Sequence, residues 1–384
     1  MVHAPSVGMV AGEASGDLLA SALLKAFRQR WPEFHACGIG GPAMVQHGFE
    51  SWWPQSKLAV RGYVEVLPHL RELLKIRREI GDKFIAHPPA VFIGVDAPDF
   101  NLDLEIRLRR AGIPTVHFVS PSFWAWRPHK VLKLRQAADH VLCIFPFEPE
   151  LLAEHGVQAT FVGHPLASMI PMTPDRLGAR VRLGLDPEEE VVALLPGSRL
   201  SELKHLAPRF FEAAKCMLKQ RPFLRFAVPV LPSLRDFVEE TARRAGLAPL
   251  LQRNIVLVEG QSHAVLAACD TAIVASGTAT LEAALFKRSM VVAYHMPWLS
   301  WQIMRRKQLQ PWVGLPNILC RDFVVPELLQ ERAHPQALAD AALKWLQDPD
   351  ARLALEERFT LLHSALQRDT AQSVTHAVEK IISS

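Results

Sequence analysis

The residues able to do chemistry lie in short turns, each placed behind an apolar run. Gly12-Glu13-Ala14-Ser15-Gly16-Asp17 follows Ser6–Ala11, and Pro196-Gly197-Ser198-Arg199 follows Val191–Leu195. A strand that turns on glycine into a helix N-terminus presents unpaired N–H groups to an anion. In the later turn Arg199 adds a guanidinium, whose fork matches phosphate bidentately. Gly197, Ser198 and Arg199 therefore suit a diphosphate; the plain alternative is a solvated arginine. In the earlier turn Ser15 or Asp17 either caps the following helix or, with Glu13 and Gly16, shapes one side of a ligand site. This is not a dinucleotide fingerprint: Gly-x-Gly-x-x-Gly is missing, and no acid follows at the required spacing.

Three further segments carry polar groups at strand ends. In Gly94-Val95-Asp96-Ala97-Pro98-Asp99-Phe100-Asn101 an acid closes a strand, where ligands of open α/β sheets bind and a general base is needed. Asp96 is the candidate base, and Asp99 is either a second contact or a helix cap. Ser120–Arg127 holds Trp124 and Trp126, which are either core or an apolar platform for a sugar ring or acyl chain. In Ser276–Glu282 a small-residue turn, Gly277-Thr278, opens a helix. Glu282, one turn in, either completes a capping box or accepts both hydroxyls of a ribose. Leu315-Pro316-Asn317 adds one amide. The 16 histidines and five cysteines lack metal-ligand spacing, so neither a metal nor any other cofactor is expected.

These turns need a frame. Ser6–Ala11, Pro89–Asp96, Thr115–Val119 and His140–Phe145 read as buried strands, with helices at Asp17–Arg30 and Leu102–Ala111. The pattern restarts with strands at Val191–Gly197, Leu224–Val230, Asn254–Gly260, Thr271–Ser276 and Met290–Met296. Apolar strands between amphipathic helices mark parallel sheets covered on both faces. With 384 residues the expected architecture is α/β, two similar domains facing each other across a cleft. The expected division is 1–168, 169–345 and a helical tail 346–384, with a proline-rich loop at Pro165–Pro174.

Composition narrows the partners. A net charge of +4 gives no support to nucleic-acid binding. Scattered, odd-numbered cysteines point to reduced thiols in the cytoplasm. No run reaches the roughly 18 apolar residues of a membrane span, and no signal peptide is expected. A surface contact with a membrane is another matter. Tyr63–Ile80 reads as a helix on which Val66, Leu67, Leu70, Leu73, Leu74, Ile76 and Ile80 share an arc. Arg71, Lys75 and Arg78 flank that arc, and Arg77 falls inside it. It is either an interfacial helix or an ordinary core-packed one. Pro297–Trp312, with Trp298, Trp301 and Arg305-Arg306-Lys307, is a second candidate.

In order, VAGEASGD, GVDAPDFN, SPSFWAWR, LLPGSR, SGTATLE and LPN closely resemble the lipid-A-disaccharide synthases, from about Val7 to Leu329. The remaining tail agrees only in helical character. The resemblance implies an inverting glycosyltransferase of GT-B architecture, two facing Rossmann-like domains. Its members join UDP-2,3-diacylglucosamine to 2,3-diacylglucosamine 1-phosphate (lipid X), giving the β(1→6) disaccharide 1-phosphate of lipid A and UDP. They work from the cytoplasm as peripheral proteins of the inner membrane. The resemblance also implies that Asp96 is the essential acid and that Arg199, Glu282 and Asn317 lie near the UDP. Dimers of the family exchange C-terminal segments, which the helical tail here allows. One turn departs slightly: the family's GxAGP reads Gly38-Ile39-Gly40-Gly41-Pro42. Rival readings are a peptidoglycan N-acetylglucosaminyltransferase, a UDP-GlcNAc 2-epimerase and a non-catalytic peripheral membrane protein. The tryptophan-bearing segment argues against the epimerase, and the intact polar turns against the last.

Overall fold

Runs such as Val91–Val95 and Thr271–Ala275 have no polar face to give to water, so they become inner strands of parallel sheets. The computed structural model describes residues 5–12, 14–58, 70–125, 129–307 and 309–382. Its strands form two sheets, both parallel throughout. The first contains β1 (Ser6–Ala11), β2 (His35–Gly40), β3 (Glu50–Pro54), β4 (Val91–Val95), β5 (Thr115–Phe118), β6 (His140–Cys143) and β7 (Ala159–Phe161). Their order is β3-β2-β1-β4-β5-β6-β7. The second contains β8 (Val191–Leu195), β9 (Arg225–Val230), β10 (Ile255–Glu259), β11 (Thr271–Ala275), β12 (Ser289–Tyr294) and β13 (Glu327–Leu329), ordered β10-β9-β8-β11-β12-β13.

Each sheet starts in its middle, runs outward one way and then reverses to the other side. The reversal falls between β1 and β4 in the first sheet and between β8 and β11 in the second. In open α/β sheets the ligand crevice lies outside the carboxyl ends of the strands that flank this switch point. Gly12–Asp17 follows β1, Gly94–Asn101 runs off β4, Pro196–Arg199 follows β8, and Ser276–Glu282 follows β11. Every turn singled out for phosphate or proton chemistry thus stands beside a switch point.

The chain divides into two units, Met1–Ser168 with Leu366–Ser384, and Met169–Ala365. The tail is split between them. The helix Pro349–Leu366 lies almost wholly in the second unit, while Thr370–Ile382 packs on the helix Ala14–Arg30 of the first. Arg30 Nε donates to Glu379 Oε1 at 2.6 Å, and Val374 and Val378 are fully buried. The expected proline-rich loop contains a short helix, Pro165–Met169. In the first core Phe84 lies against Phe92, ring centroids 5.4 Å apart. Gly8 makes room for it, since a Cβ there would come 2.8 Å from the Phe84 ring.

Candidate active site

At the first switch point the backbone is strained. Asp96 and Ala97 have φ of 51° and 45°, two successive non-glycine residues in the left-handed region. Each costs on the order of 1 kcal/mol or more. The turn is tied down on both sides: Asp96 N donates to Phe118 O at 2.8 Å, and Asn101 Nδ2 donates to Asp96 O at 2.8 Å. Pro98, with its fixed φ, then starts the helix Pro98–Arg110. Gly12 is required by close approach, because a Cβ there would come 2.9 Å from Ala97 Cβ. The turns after β1 and β4 therefore touch, and the partly buried Asp96 sits where they meet.

Other residues expected on this side have settled differently. The helix Ala14–Arg30 starts early enough to hold Ser15, Gly16 and Asp17 within it. Ser15 is exposed and Gly16 buried. Asp17 is buried, and its carboxylate accepts from Gly41 N, Ala43 N and Met44 N at 2.8, 2.9 and 3.1 Å. It caps the short helix Pro42–Val45 instead of its own, so it is an internal anchor and not a ligand contact. Asp99 is not the N-cap of its helix, a position held by Ala97; its carboxylate, 82% exposed, pairs with Lys130 at 2.8 Å. Trp124 is core. It packs edge-on against Phe145 and Phe147 and donates its indole N–H to Glu148 Oε1 at 3.1 Å, which rules out a stacking platform. Burial pushes Glu148 up to about 8, against the hydrogen bonds from Trp124 and the backbone. Glu13 and Trp126 lie outside the described residues.

The second switch point is built from glycine. Gly197 has a φ of 125°, and a Cβ there would come 2.6 Å from Glu202 Cβ. Glu202 folds back over the turn. Its Oε2 accepts from Ser198 N at 3.0 Å and Arg199 N at 3.4 Å, while Arg199 Nη1 donates to its Oε1 at 2.8 Å. This is a capping box on the helix Leu200–Gln220, with the carboxylate seated where an anion would sit. Arg199 is accordingly paired, not free. Gly277, φ 148°, opens the helix Thr278–Leu285 with no side-chain cap. Thr278 is exposed, and Thr280 Oγ1 donates to Gly277 O at 2.8 Å. Glu282 makes no capping box; it lies 3.5 Å from His263 Nε2.

Asn317 is fully buried and its amide is committed. Nδ2 donates to Val325 O and Glu327 Oε1, and Oδ1 accepts from Val325 N. Glu327 also accepts from Val313 N and Gly314 N; burial raises its pKa against these bonds. The Asn317 side chain therefore braces the Val313–Gly314 turn and has no donor left for a ligand. Glu202, Asn101 and Glu327 all went unrecognised in the sequence. For Glu202 a signal existed, an acid three residues after Arg199 at capping-box spacing. For Asn101 it was a polar residue at an inward helix position. Glu327 offered none.

The expected interfacial helix is described from Leu70 to Ala86; Val66 and Leu67 lie outside the described residues. Its apolar arc divides. Ile76 and Ile80 are buried, Leu73 is partly buried, and Leu70 and Leu74 remain 42% and 45% exposed. Arg71, Lys75 and Arg78 are exposed beside them. Arg77 avoids burial alone by donating to Asp103 Oδ2 at 2.7 Å. In the helix Trp298–Lys307, Trp298, Arg305 and Arg306 are exposed. No helix among the described residues is long and apolar enough to cross a membrane.

Two doubly wound parallel units, each carrying its polar turns at the switch point, define the GT-B class. Solved structures agree on that fold. A putative UDP-N-acetylglucosamine 2-epimerase from Listeria monocytogenes superposes with a TM-score of 0.66 at 12% identity, covering 99% of this chain and 96% of that one. Anabaena HepE, solved with UDP and glucose, gives 0.59 at 15% identity, covering 98% and 100%. MurG from Acinetobacter baumannii gives 0.57 at 14%, covering 98% and 99%. Sequence similarity is far more specific. The family model described as lipid-A-disaccharide synthetase matches residues 7–381. The lipid-A-disaccharide synthase of Albidiferax ferrireducens is 58% identical over 381 residues, covering 98% of this chain and 97% of that protein. That of Burkholderia thailandensis is 52% identical over 380 residues, with the same coverage. The chain belongs to the lipid-A-disaccharide synthase family of glycosyltransferases.

Proposed function

We propose that this chain transfers a 2,3-diacylglucosamine unit from UDP to the 6-hydroxyl of 2,3-diacylglucosamine 1-phosphate, with inversion. The observation that carries the reading is the pairing of two kinds of turn at equivalent switch points: a partly buried acid on a strained turn after β4, and N–H donors with an arginine after β8. Asp96 takes the hydroxyl proton as the acceptor oxygen bonds to the anomeric carbon. The bond from that carbon to the diphosphate oxygen breaks on the opposite face, and UDP leaves with the electron pair. Ser198 N–H, Arg199 N–H and the Arg199 guanidinium stabilise the departing diphosphate, displacing Glu202 from the same donors. The helix N-terminus at Gly277–Thr278 adds its dipole. Glu282 accepts from the ribose hydroxyls, and Asn317 acts as a positioning residue through the turn it braces.

Both substrates carry acyl chains, so the protein must reach a bilayer. Leu70, Leu73 and Leu74 supply the apolar contact and Arg71, Lys75 and Arg78 the attraction to anionic lipid, on the cytoplasmic face of the inner membrane. A homodimer exchanging C-termini would trade the helix Thr370–Ile382. The test is direct: UDP-2,3-diacylglucosamine and lipid X are incubated with the protein and analysed by mass spectrometry. A disaccharide 1-phosphate and UDP are expected in equal amounts. An epimerised UDP-sugar, or no disaccharide, overturns the reading.

A further inference from the structure

The Asp96 turn is held from beneath by residues that take no part in the steps above. Its two backbone anchors are Phe118 O and Asn101 Nδ2, and both lead to one buried contact. His117 precedes Phe118 on β5 and stands opposite Gly94 in the β4–β5 register. Glu105 lies one turn beyond Asn101 on the helix Pro98–Arg110. The Glu105 and His117 side chains are both 0% exposed and meet at 2.7 Å, Nδ1 to Oε1. Gly94 permits this meeting, because a Cβ there would overlap Glu105 Oε1. Asn101 spreads the effect, reaching Val10 O at 3.2 Å and Val95 O at 3.4 Å as well as Asp96.

Stability does not account for the arrangement. Glu105 Oε2, His117 Nε2 and Asn101 Oδ1 are buried with no hydrogen-bond partner among the described residues. Burial pushes the Glu105 carboxyl up, and the neighbouring His117 only partly opposes this. Unpartnered buried polar atoms cost free energy, and apolar residues often replace a buried pair without loss. What a short polar contact adds is a fixed position along the helix, where apolar packing alone tolerates sliding.

We propose that Glu105 and His117 are positioning residues: their contact across Gly94 sets the helix Pro98–Arg110 against β4 and β5 and so aims the Asp96 carboxylate. This rests on Asp96 being the base. The pair touches no substrate and acts through Asn101 and Phe118. A displacement near 1 Å at a reacting group can cost about 100-fold in rate, so loss of the pair is read in turnover.

The experiment uses the full chain with UDP-diacylglucosamine and lipid X, and four variants: Glu105→Leu, His117→Leu, the double Leu variant and Glu105→Gln. The single Leu variants and the double are expected to lose about tenfold or more in kcat, with KM and calorimetric UDP affinity within about twofold. Glu105→Gln, which keeps an acceptor for His117, is expected to recover most of the kcat. The double variant removes both polar partners together, so it is expected to fold even where a single variant does not. Wild-type kcat in a stable double variant overturns the proposal, as does a Glu105→Gln no better than Glu105→Leu. Asp96→Asn, measured alongside, keeps the two readings apart. If it retains turnover, the base assignment fails; if it is inactive while the double variant is normal, only the positioning pair fails.

Discussion

The two units repeat one strand order around one switch point and equip it in opposite ways. After β4 the left-handed positions belong to Asp96 and Ala97, residues that adopt them at a cost. In the second unit Gly197 and Gly277 take the unusual φ values, where no Cβ resists. The proposed function would account for the contrast by what each turn has to present. A reactive carboxylate needs a side chain aimed from a defined backbone, so strain is tolerated there and braced by Asn101 and Phe118. A diphosphate needs backbone N–H groups it can approach closely, which glycine exposes. On the proposed mechanism, the same topology would serve proton transfer in one unit and anion binding in the other.

Breaking the first half of the contrast gives the largest expected effect. Asp96→Asn should lower turnover by about 10²- to 10⁴-fold while UDP affinity by calorimetry stays within about twofold. Near-normal turnover would remove the acid from the comparison. On the other side, Arg199→Ala should weaken UDP binding by about 1.5–3 kcal/mol, the worth of a charged hydrogen bond, with the lipid acceptor's KM unchanged. Equal UDP affinity in the two proteins would leave the second turn without its anion. A smaller effect is expected outside both turns. Leu70→Ser with Leu74→Ser should release the protein from sedimented phosphatidylglycerol vesicles and leave its melting temperature within a few degrees, because both side chains are already half-exposed. A large fall in melting temperature would show that face to be packed. The smallest effect tests strain itself: Ala97→Gly should raise the urea-unfolding free energy by about 1 kcal/mol. No gain would mean that the two turns differ in chemistry but not in stored strain.

Much of this was legible in the chain because it rests on local signals. Unbroken apolar runs located the inner strands within a residue or two, from Ser6–Ala11 to Thr271–Ala275. β3, β7 and β13 were not legible. Each forms a sheet edge, and β3 is largely exposed, so its residues need no apolar run. β2 hides for another reason, since HACGIG is broken by glycines that allow close packing. At the site, the turns were readable as turns, but their hydrogen-bond partners were not. Asp17 reaches across to Gly41–Met44, Trp124 to Glu148, and Asn317 to Glu327. Each pairing is made by tertiary folding and leaves no periodicity. Glu105 and His117 show the limit well: twelve residues apart in sequence, they read singly as a helix acid and a strand histidine.

The split tail bears on how the molecule is made. Chains emerge and fold from their N-terminus, generally domain by domain. Here the face of Ala14–Arg30 that receives Val374 and Val378 cannot be covered until Thr370–Ile382 has been synthesised, after all of Met169–Ala365. The unit begun first is therefore completed last. Throughout translation of the second unit, the first carries an uncovered apolar stripe on the helix Ala14–Arg30, which makes the nascent chain, more than the finished protein, the form exposed to aggregation.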